Sequence, residues 1–247
     1  PGMSKSSPAA TEAAPQPTSM PRIGDPAPDF RAMTTHGELT FREWAGGKWT
    51  LLFSHPADFT PVCSTELTEL AKRNAEFEAR NFKLIGVSID SIHSHLAWVE
   101  NLTKILGVEL PYPLIADTDK KVAQLYGMMH PGESATVTVR ALFFIDPKGT
   151  IRAIIYYPLN VGRNIDEVLR VVDALQTTDA NACACPVNWK KGDKVMFHSL
   201  DRDPKTKAVV ASSTTDYLQI APNVIQETYL GLYDRDVKRA LGVEVDR

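Results

Sequence analysis

The sequence predicts an α/β sandwich with a mixed central sheet flanked by helices, and two patterns carry that prediction. Short apolar runs alternate with longer amphipathic segments through the first half of the chain, as they do in strand–helix–strand units. Two further apolar runs, Ala141–Asp146 and Ile151–Tyr157, are joined by Pro147-Lys148-Gly149, whose turn residues predict an antiparallel hairpin. A helical pattern over Ile165–Gln176 follows the hairpin.

The individual elements follow from the period of their apolar residues. We expect strands at 39–41, 49–53, 83–90, 113–117, 141–146 and 151–157, and helices at 64–80, 94–107, 119–126 and 165–176. One face of the first helix carries Leu67, Leu70, Ala71, Asn74 and Phe77. Gly107 and Gly127 are expected to terminate the next two helices.

The two ends of the chain differ from its middle. Residues 1–20 are mostly Ala, Pro, Ser and Thr with almost nothing to bury, and we expect them to be disordered. One folded domain is predicted for 21–185. The remaining residues, 186–247, begin with a turn-rich joint and are predicted to form a smaller C-terminal arm, with strands at 195–197, 209–211 and 217–220 and a helix at 234–241.

The composition excludes several classes of protein and of partner. The chain has 247 residues and a net charge of −3, which gives no reason to expect nucleic acid or an anionic membrane as a partner. No apolar run approaches the ~20 residues needed to cross a bilayer, and residues 1–20 lack the hydrophobic centre of a signal peptide. Three cysteines do not make a disulfide framework, so the reducing cytoplasm is the expected location.

The stretch His-Pro-Ala-Asp-Phe-Thr-Pro-Val-Cys, residues 55–63, lies between a predicted strand and a predicted helix. Thr60 suits the N-cap, and Pro61 suits the first helical position, where no N–H is needed. Cys63 then falls in the first turn, where unpaired N–H groups and the positive end of the helix dipole favour a thiolate over a thiol. This position distinguishes it from an ordinary buried cysteine.

Pro56, Thr60 and Cys63 match the pattern Pro-x-x-x-Thr/Ser-x-x-Cys, and the stretch resembles the active-site loop of the peroxiredoxins. The resemblance extends from about Ile23 to Trp189, and the residues around Cys63 are similar to the one-cysteine, peroxiredoxin 6-like branch. It implies a thioredoxin fold and a thiol-dependent peroxidase that reduces hydrogen peroxide and organic hydroperoxides. No cofactor follows from such thiol chemistry.

The resemblance also implies roles for individual residues. Cys63 is the peroxidatic nucleophile, which becomes a sulfenic acid. Arg140, at the start of a predicted strand, lies beside the cysteine in the family and helps to hold the peroxide, a task that suits an always-charged guanidinium. Thr60 either caps the helix through the Cys63 N–H or contacts the peroxide or thiolate. Pro56 shapes the loop and shields the thiolate from water.

Two further residues are candidates for supporting the site. His55 is near the thiol in one-cysteine relatives, although the sequence is equally compatible with a histidine packed at a strand end. Arg163 matches a second family arginine, with a cap for Asp166 or Glu167 as the alternative. Glu66 stands where dithiol oxidoreductases carry a second cysteine, which excludes their chemistry at this loop. The other histidines lack metal-ligand spacing with the cysteines, so no metal site is predicted.

The positions of Cys183 and Cys185 are compatible with two different catalytic cycles. Cys185 falls where two-cysteine peroxiredoxins carry a resolving cysteine, which in the family comes from the other subunit and forms a disulfide with the sulfenic acid. We expect Cys185 to resolve Cys63, with Cys183 as the less favoured candidate. In the alternative cycle both are bystanders, and an external thiol resets Cys63.

The resemblance implies partners as well. The reductant would be a thioredoxin-like protein or a small thiol, and the chain would form a homodimer, with a decamer as the larger assembly. A function of a different class, a peroxide sensor or holdase chaperone whose assembly changes on oxidation, is also compatible with the arm and the two joint cysteines.

Overall fold

The computed structural model describes residues 20–181, 183–193, 195–197, 200–202 and 209–211, which belong to two compact units. The first unit ends at Arg163 and the second begins at Asn164. This division lies earlier than the domain boundary predicted after Cys185, which stays a prediction. The expected disorder of residues 1–19, the strand at 217–220 and the helix at 234–241 lie outside the described residues.

A seven-stranded mixed sheet is the centre of the first unit. Its strands are β1 (Arg31–Thr34), β2 (Gly37–Thr40), β3 (Trp49–Ser54), β4 (Phe82–Ser88), β5 (Leu114–Ala116), β6 (Arg140–Ile145) and β7 (Ile151–Tyr157). They are ordered β2-β1-β5-β4-β3-β6-β7. Strands β3, β4 and β5 are parallel, whereas β6 is antiparallel to β3 and β7, and β1 is antiparallel to β2 and β5.

Helices connect the strands of this unit. In its described part they are α1 (Phe41–Ala45), α2 (Pro61–Lys72), α3 (Asn74–Glu78), α4 (Ile92–Leu106) and α5 (Lys121–Leu125). Ser91 caps α4 by accepting a hydrogen bond from the Ser94 N–H, and Gly107 ends the helix with a φ of 64°. The left-handed conformation explains the glycine at that position, as the sequence predicted.

Strand β3 places the candidate active-site loop. All six of its residues are buried, because it lies between β4 and β6 in the interior of the sheet. A strand that is covered on both faces has a nearly continuous apolar sequence, and this feature predicted β3. The loop that follows Ser54 therefore starts from a fixed point at the carboxyl end of a central strand.

A predicted helix needed correction, and strand β1 was missed. The helix expected at 64–80 is two helices, because Arg73, with φ −97° and ψ 8°, interrupts α2 before α3 begins. Strand β1 was not predicted, since its sequence, Arg-Ala-Met-Thr, is mostly exposed and has no apolar run. The hairpin of β6 and β7 is confirmed, with a register shift between Phe144 and Ile145.

The second unit contains α6 (Ile165–Asn181), β8 (Cys183–Ala184), β9 (Met196–Phe197), β10 (Leu200–Arg202) and β11 (Val209–Ala211). Strand β8 pairs with β9, and β10 pairs with β11. A small apolar cluster unites Cys183, Trp189 and Val195. Throughout the described ranges of both units, the helices are too short or too polar to traverse a membrane.

Gly86 in β4 allows a direct test of the packing around β3. A Cβ at this position would lie 2.7 Å from Leu114 Cδ2 and 3.1 Å from the Phe53 ring. We expect Gly86→Ala to lower the free energy of unfolding in urea by about 1–3 kcal/mol, the usual cost of overpacking a core. Gly132→Ala, where a Cβ would meet nothing within 4 Å, is the control and should change it by less than about 0.5 kcal/mol. Equal effects of the two variants would contradict the packing.

Candidate active site

Cys63 lies in the first turn of α2, as predicted, and its side chain is fully buried. Thr60 occupies the N-cap position with an extended backbone, φ −98° and ψ 147°, and Pro61 is the first helical residue. Proline fits there because the first N–H of a helix has no intrahelical partner. The sulfur therefore lies at the helix end where negative charge is favoured.

The Thr60 hydroxyl does not cap α2 through its side chain. Its Oγ1 donates a hydrogen bond to Ala57 O at 2.8 Å, within the loop itself, and no side-chain cap bond is present. The option that the hydroxyl accepts from the Cys63 N–H was therefore wrong. Since its single proton is directed to Ala57, its lone pairs remain the part that can meet another donor.

Arg140 brings a positive charge to Cys63. Its Nη1 donates to Cys63 Sγ at 3.3 Å and to Glu66 Oε2 at 2.6 Å. Its Nε and Nη2 both donate to Leu159 O, at 3.0 and 2.7 Å. Arg140 is 3% exposed, and bonds on several of its nitrogens fix the plane of the guanidinium. Arg140 is therefore buried and paired rather than solvated at the start of β6.

Arg163 binds the same carboxylate from the other side. Its Nη2 lies 2.8 Å from Glu66 Oε2, while its Nε and backbone N donate to Oε1 at 2.9 and 2.7 Å. The remaining Nη1 donates to the carbonyls of Ser54 and Ala141. Arg163 therefore supports Arg140 through Glu66, which is the first of the two arrangements that the sequence left open.

The buried cluster of Arg140, Arg163 and Glu66 contains more positive than negative charge. Burial alone would raise the pKa of Glu66, but the charge and hydrogen bonds of Arg163, with the charge of Arg140, outweigh burial and hold the pKa below its usual value. Glu66 is therefore ionised at neutral pH. Two guanidinium groups share this one carboxylate, so the group keeps a single net positive charge beside the Cys63 sulfur.

The His55 ring is bonded to Asp58. His55 Nε2 lies 3.0 Å from Asp58 Oδ1, and its Nδ1 is buried without a hydrogen-bond partner. His95 of α4 places Nδ1 2.8 Å from Asp58 Oδ2. The ligand-type atoms of these three residues lie within 4.8 Å of one another, but the N···O separations are those of hydrogen bonds. Pro56 is buried next to His55. The expected absence of a metal site stays a prediction.

Sequence reasoning missed the roles of Asp58, Glu66 and His95. A signal existed for Glu66, because it lies one helical turn from both Cys63 and Leu70 and so belongs to the buried face of α2. His95 similarly shares a buried face with Trp98. A titratable residue on a buried face needs a partner, so its periodicity marks it as part of a network.

Cys183 and Cys185 belong to the second unit, in β8 and directly after it. All three cysteines of the chain are free thiols. Cys183 is 8% exposed, and Cys185 is half-buried. Burial raises the pKa of both thiols, and Arg170 partly opposes the rise at Cys185. A raised pKa lowers the thiolate fraction at neutral pH.

Comparison with known sequences matches residues 23–154 to the AhpC/TSA family and residues 174–202 to the C-terminal domain of 1-Cys peroxiredoxin. A peroxiredoxin of Aquifex aeolicus is 50% identical over 211 residues, which are 85% of this chain and 93% of the relative. Peroxiredoxin 2 of Caldanaerobacter subterraneus subsp. tengcongensis is 51% identical over 188 residues, 76% of this chain and 85% of the relative.

Comparison with solved structures also finds peroxiredoxins. The peroxiredoxin 6 of Arenicola marina aligns with a TM-score of 0.71 and 36% identity, covering 82% of this chain and 90% of that one. The yeast mitochondrial 1-Cys peroxiredoxin aligns with a TM-score of 0.70 and 42% identity, covering 81% and 92%. The predicted thioredoxin fold with a mixed sheet is confirmed.

Replacing Glu66 tests the buried charge group. We expect Glu66→Gln to lower the free energy of unfolding by about 3 kcal/mol at neutral pH, because both arginines lose their buried counter-charge. Since the pKa of Glu66 is lowered in the folded state, its contribution is present above the unfolded-state value of about 4.3 and is lost as the pH falls below it.

The wild-type protein should therefore lose more stability than Glu66→Gln when the pH is lowered from about 6 to about 3. Urea denaturation across this range measures the difference. Glu69→Gln, which alters an exposed residue of the same helix, is the control and should follow the wild type. Parallel curves for the wild type and Glu66→Gln would show that the carboxylate is not stabilised as described.

Proposed function

The chain belongs to the peroxiredoxin family of thiol-dependent peroxidases, and from that premise we propose that it reduces hydrogen peroxide and organic hydroperoxides at Cys63. The hydrogen bond of 3.3 Å from Arg140 Nη1 to Cys63 Sγ, in the first turn of α2, carries the proposal. It joins a nucleophile to a fixed positive charge in a site that excludes water, the combination that nucleophilic attack on a peroxide requires.

In the proposed reaction the Cys63 thiolate attacks one peroxide oxygen. An S–O bond forms as the O–O bond breaks, so the sulfur is oxidised to a sulfenic acid and the second oxygen leaves as water or an alcohol after taking up a proton. The leaving oxygen develops negative charge in the transition state. Arg140 is suited to stabilise it, because Glu66 and Leu159 O already hold the guanidinium in place.

Thr60 is proposed to orient the peroxide. Its hydroxyl proton is bonded to Ala57 O, so its oxygen can accept a hydrogen bond from the peroxide O–H. Pro56, buried in the same loop and without an N–H, is proposed to shield the sulfur from water. His55 acts only indirectly in this scheme, since its ring is bonded to Asp58.

The sulfenic acid must be reduced before the cycle repeats, and we assign that step to Cys185 of a second copy of the chain. Its thiolate would attack the Cys63 sulfur, forming a disulfide and releasing water. Cys185 is more exposed than Cys183, which supports this choice. Its raised pKa implies a slow attack, so an external thiol competes with it.

The reductant is proposed to be a thioredoxin-like protein or a small thiol. The yeast mitochondrial structure concerns thiol resolving via glutathione/thioredoxin systems in that protein. Resolution between subunits needs at least a homodimer, and a decamer is the larger assembly we propose. The catalytic domain would be residues 21–185, with 186–247 as the arm that meets the partner.

Replacement of the nucleophile is the first test. We expect Cys63→Ser to consume hydrogen peroxide at the rate of the buffer with a dithiol reductant, because a hydroxyl cannot be oxidised to the sulfenic acid. Cys183→Ser is the matched control and should keep wild-type turnover. A colorimetric assay measures the rate of peroxide loss for each variant. Activity retained in Cys63→Ser would overturn the proposed function.

The resolving step has its own test. After one equivalent of hydrogen peroxide, intact mass under denaturing, non-reducing conditions should show a disulfide-linked dimer for the wild type and for Cys183→Ser. Cys185→Ser should give a monomer with one to three added oxygens, since its sulfenic acid has no resolving thiol. A wild-type monomer carrying oxygens would instead establish the one-cysteine cycle with an external reductant.

A further inference from the structure

A buried hydrogen-bond network joins the Cys63 loop to α4. This Asp58 network comprises His55, Asp58, Ser94 and His95. His55 Nε2 meets Asp58 Oδ1 at 3.0 Å, and His95 Nδ1 and Ser94 Oγ each meet Oδ2 at 2.8 Å. The far side of His95 is also fixed, because its Nε2 lies 3.0 Å from Ile115 O. The Asp58 side chain is 1% exposed, so these bonds have no competition from water.

The partners determine where the protons lie. Ile115 O can only accept, so His95 Nε2 carries a proton. Burial would raise the pKa of Asp58, but hydrogen bonds from His55 and His95 outweigh it and hold the pKa well below its usual value. The carboxylate is therefore ionised and can only accept, so the His95 Nδ1 that faces it is the donor in the bond between α4 and the loop.

His55 completes the group as a neutral donor. Burial lowers its pKa, so the ring carries one proton, which Nε2 directs to Asp58. The bare Nδ1 has no partner. Removing Asp58 from the network would leave the donors of His55, Ser94 and His95 without their shared acceptor, which makes the attachment of the loop strong.

The loop that contains Asp58 is strained at Phe59, and it must shift before a thiol can reach Cys63. Phe59, directly after Asp58, has a φ of 57° and is 55% exposed. A positive φ in a bulky residue persists only where surrounding contacts enforce it. Cys63 is fully buried, so no thiol can reach its sulfur until the loop or the first turn of α2 shifts.

Asp58 attaches that loop to two other segments of the unit. Besides its side-chain bonds, its N–H donates to Asp90 Oδ2 at 3.1 Å, and Ser88 Oγ donates to the same oxygen at 2.6 Å. A single loop residue therefore connects the stretch before Cys63 both to α4 and to the segment after β4.

We propose that His95, acting through Asp58, is a positioning residue that holds the Cys63 loop closed and thereby sets how long the oxidised sulfur stays out of reach of thiols. The closed loop presents Cys63 to Arg140 and to peroxide, and the released loop presents the sulfenic acid to its reductant. The catalytic consequence rests on the proposed function, whereas the attachment of the loop is a property of the fold and can be tested separately.

Two replacements of His95 separate its two hydrogen bonds. The amide nitrogen of asparagine can take the place of histidine Nδ1, and that of glutamine the place of Nε2. His95→Asn therefore keeps a donor for Asp58 and loses the bond to Ile115, whereas His95→Gln keeps the bond to Ile115 and loses the one to Asp58. Both remove the ring, so their difference compares the loss of the bond to Asp58 with the loss of the bond to Ile115.

The measurement is amide hydrogen exchange of the full-length, reduced protein. We expect residues 55–65 to exchange about tenfold faster in His95→Gln than in the wild type, and within about threefold of it in His95→Asn. Residues 140–157 should be unchanged in both, which excludes global destabilisation. His93→Gln, at an exposed position of α4, should match the wild type throughout.

Equal exchange in the two His95 variants, fast or slow, would overturn the proposal, because a packing role of the ring is lost equally in both. If neither variant folds, Ser94→Ala decides: it removes one donor to Asp58 at a half-buried position. Exchange about threefold faster in residues 55–65 alone would support the proposal, and unchanged exchange would overturn it.

The catalytic consequence is tested by over-oxidation. With a fixed thiol and increasing peroxide, we expect the fraction of Cys63 that carries two or three oxygens to be about threefold lower in His95→Gln than in His95→Asn, because the released loop delivers the sulfenic acid to the thiol sooner. Faster exchange without this decrease would overturn the catalytic part. If the protein reduced no peroxide at all, the proposed function would fail, while the exchange experiment would still decide the role of His95.

Discussion

The carboxylate of Glu66 is the interaction on which the candidate active site depends. Two guanidinium groups, on Arg140 and Arg163, are almost completely buried, and each would be costly in an apolar interior without a counter-charge. Glu66 balances one of the two positive charges through bonds of 2.6–2.9 Å. The remaining charge faces the Cys63 sulfur. A negative charge at the Cys63 position would complete the balance.

Two buried charge networks lie on either side of Cys63 along the chain. The Glu66 group fixes α2 to β6 and to the segment before Asn164, while the Asp58 network fixes the preceding loop to α4. Both depend on acceptors that belong to the loop or to the first turns of α2. The position of the sulfur is therefore set from both directions by electrostatic contacts, with the strand β3 as the rigid base.

These networks also explain what the sequence could and could not predict. The motif of Pro56, Thr60 and Cys63 is local, so the loop, the helix start and the family could be predicted from consecutive residues. The contacts of Glu66 with the arginines span 74 and 97 positions, and that of Asp58 with His95 spans 37. Periodicity assigns a residue to a buried face, but it does not identify a partner at that distance, because the pairing is made by the order of strands in the sheet.

In the proposed cycle, catalysis and recycling place opposite demands on the Cys63 sulfur. Attack on peroxide is favoured by a dry site in which Arg140 already faces Cys63, and full burial provides it. Reduction of the product needs contact with a second thiol, which full burial prevents. The loop combines a strained residue, Phe59, with a strong attachment at Asp58. Strain lowers the cost of opening, and the attachment raises it. In the proposed cycle, their balance would determine how often the sulfenic acid is exposed, and therefore whether it meets a thiol or a second peroxide first.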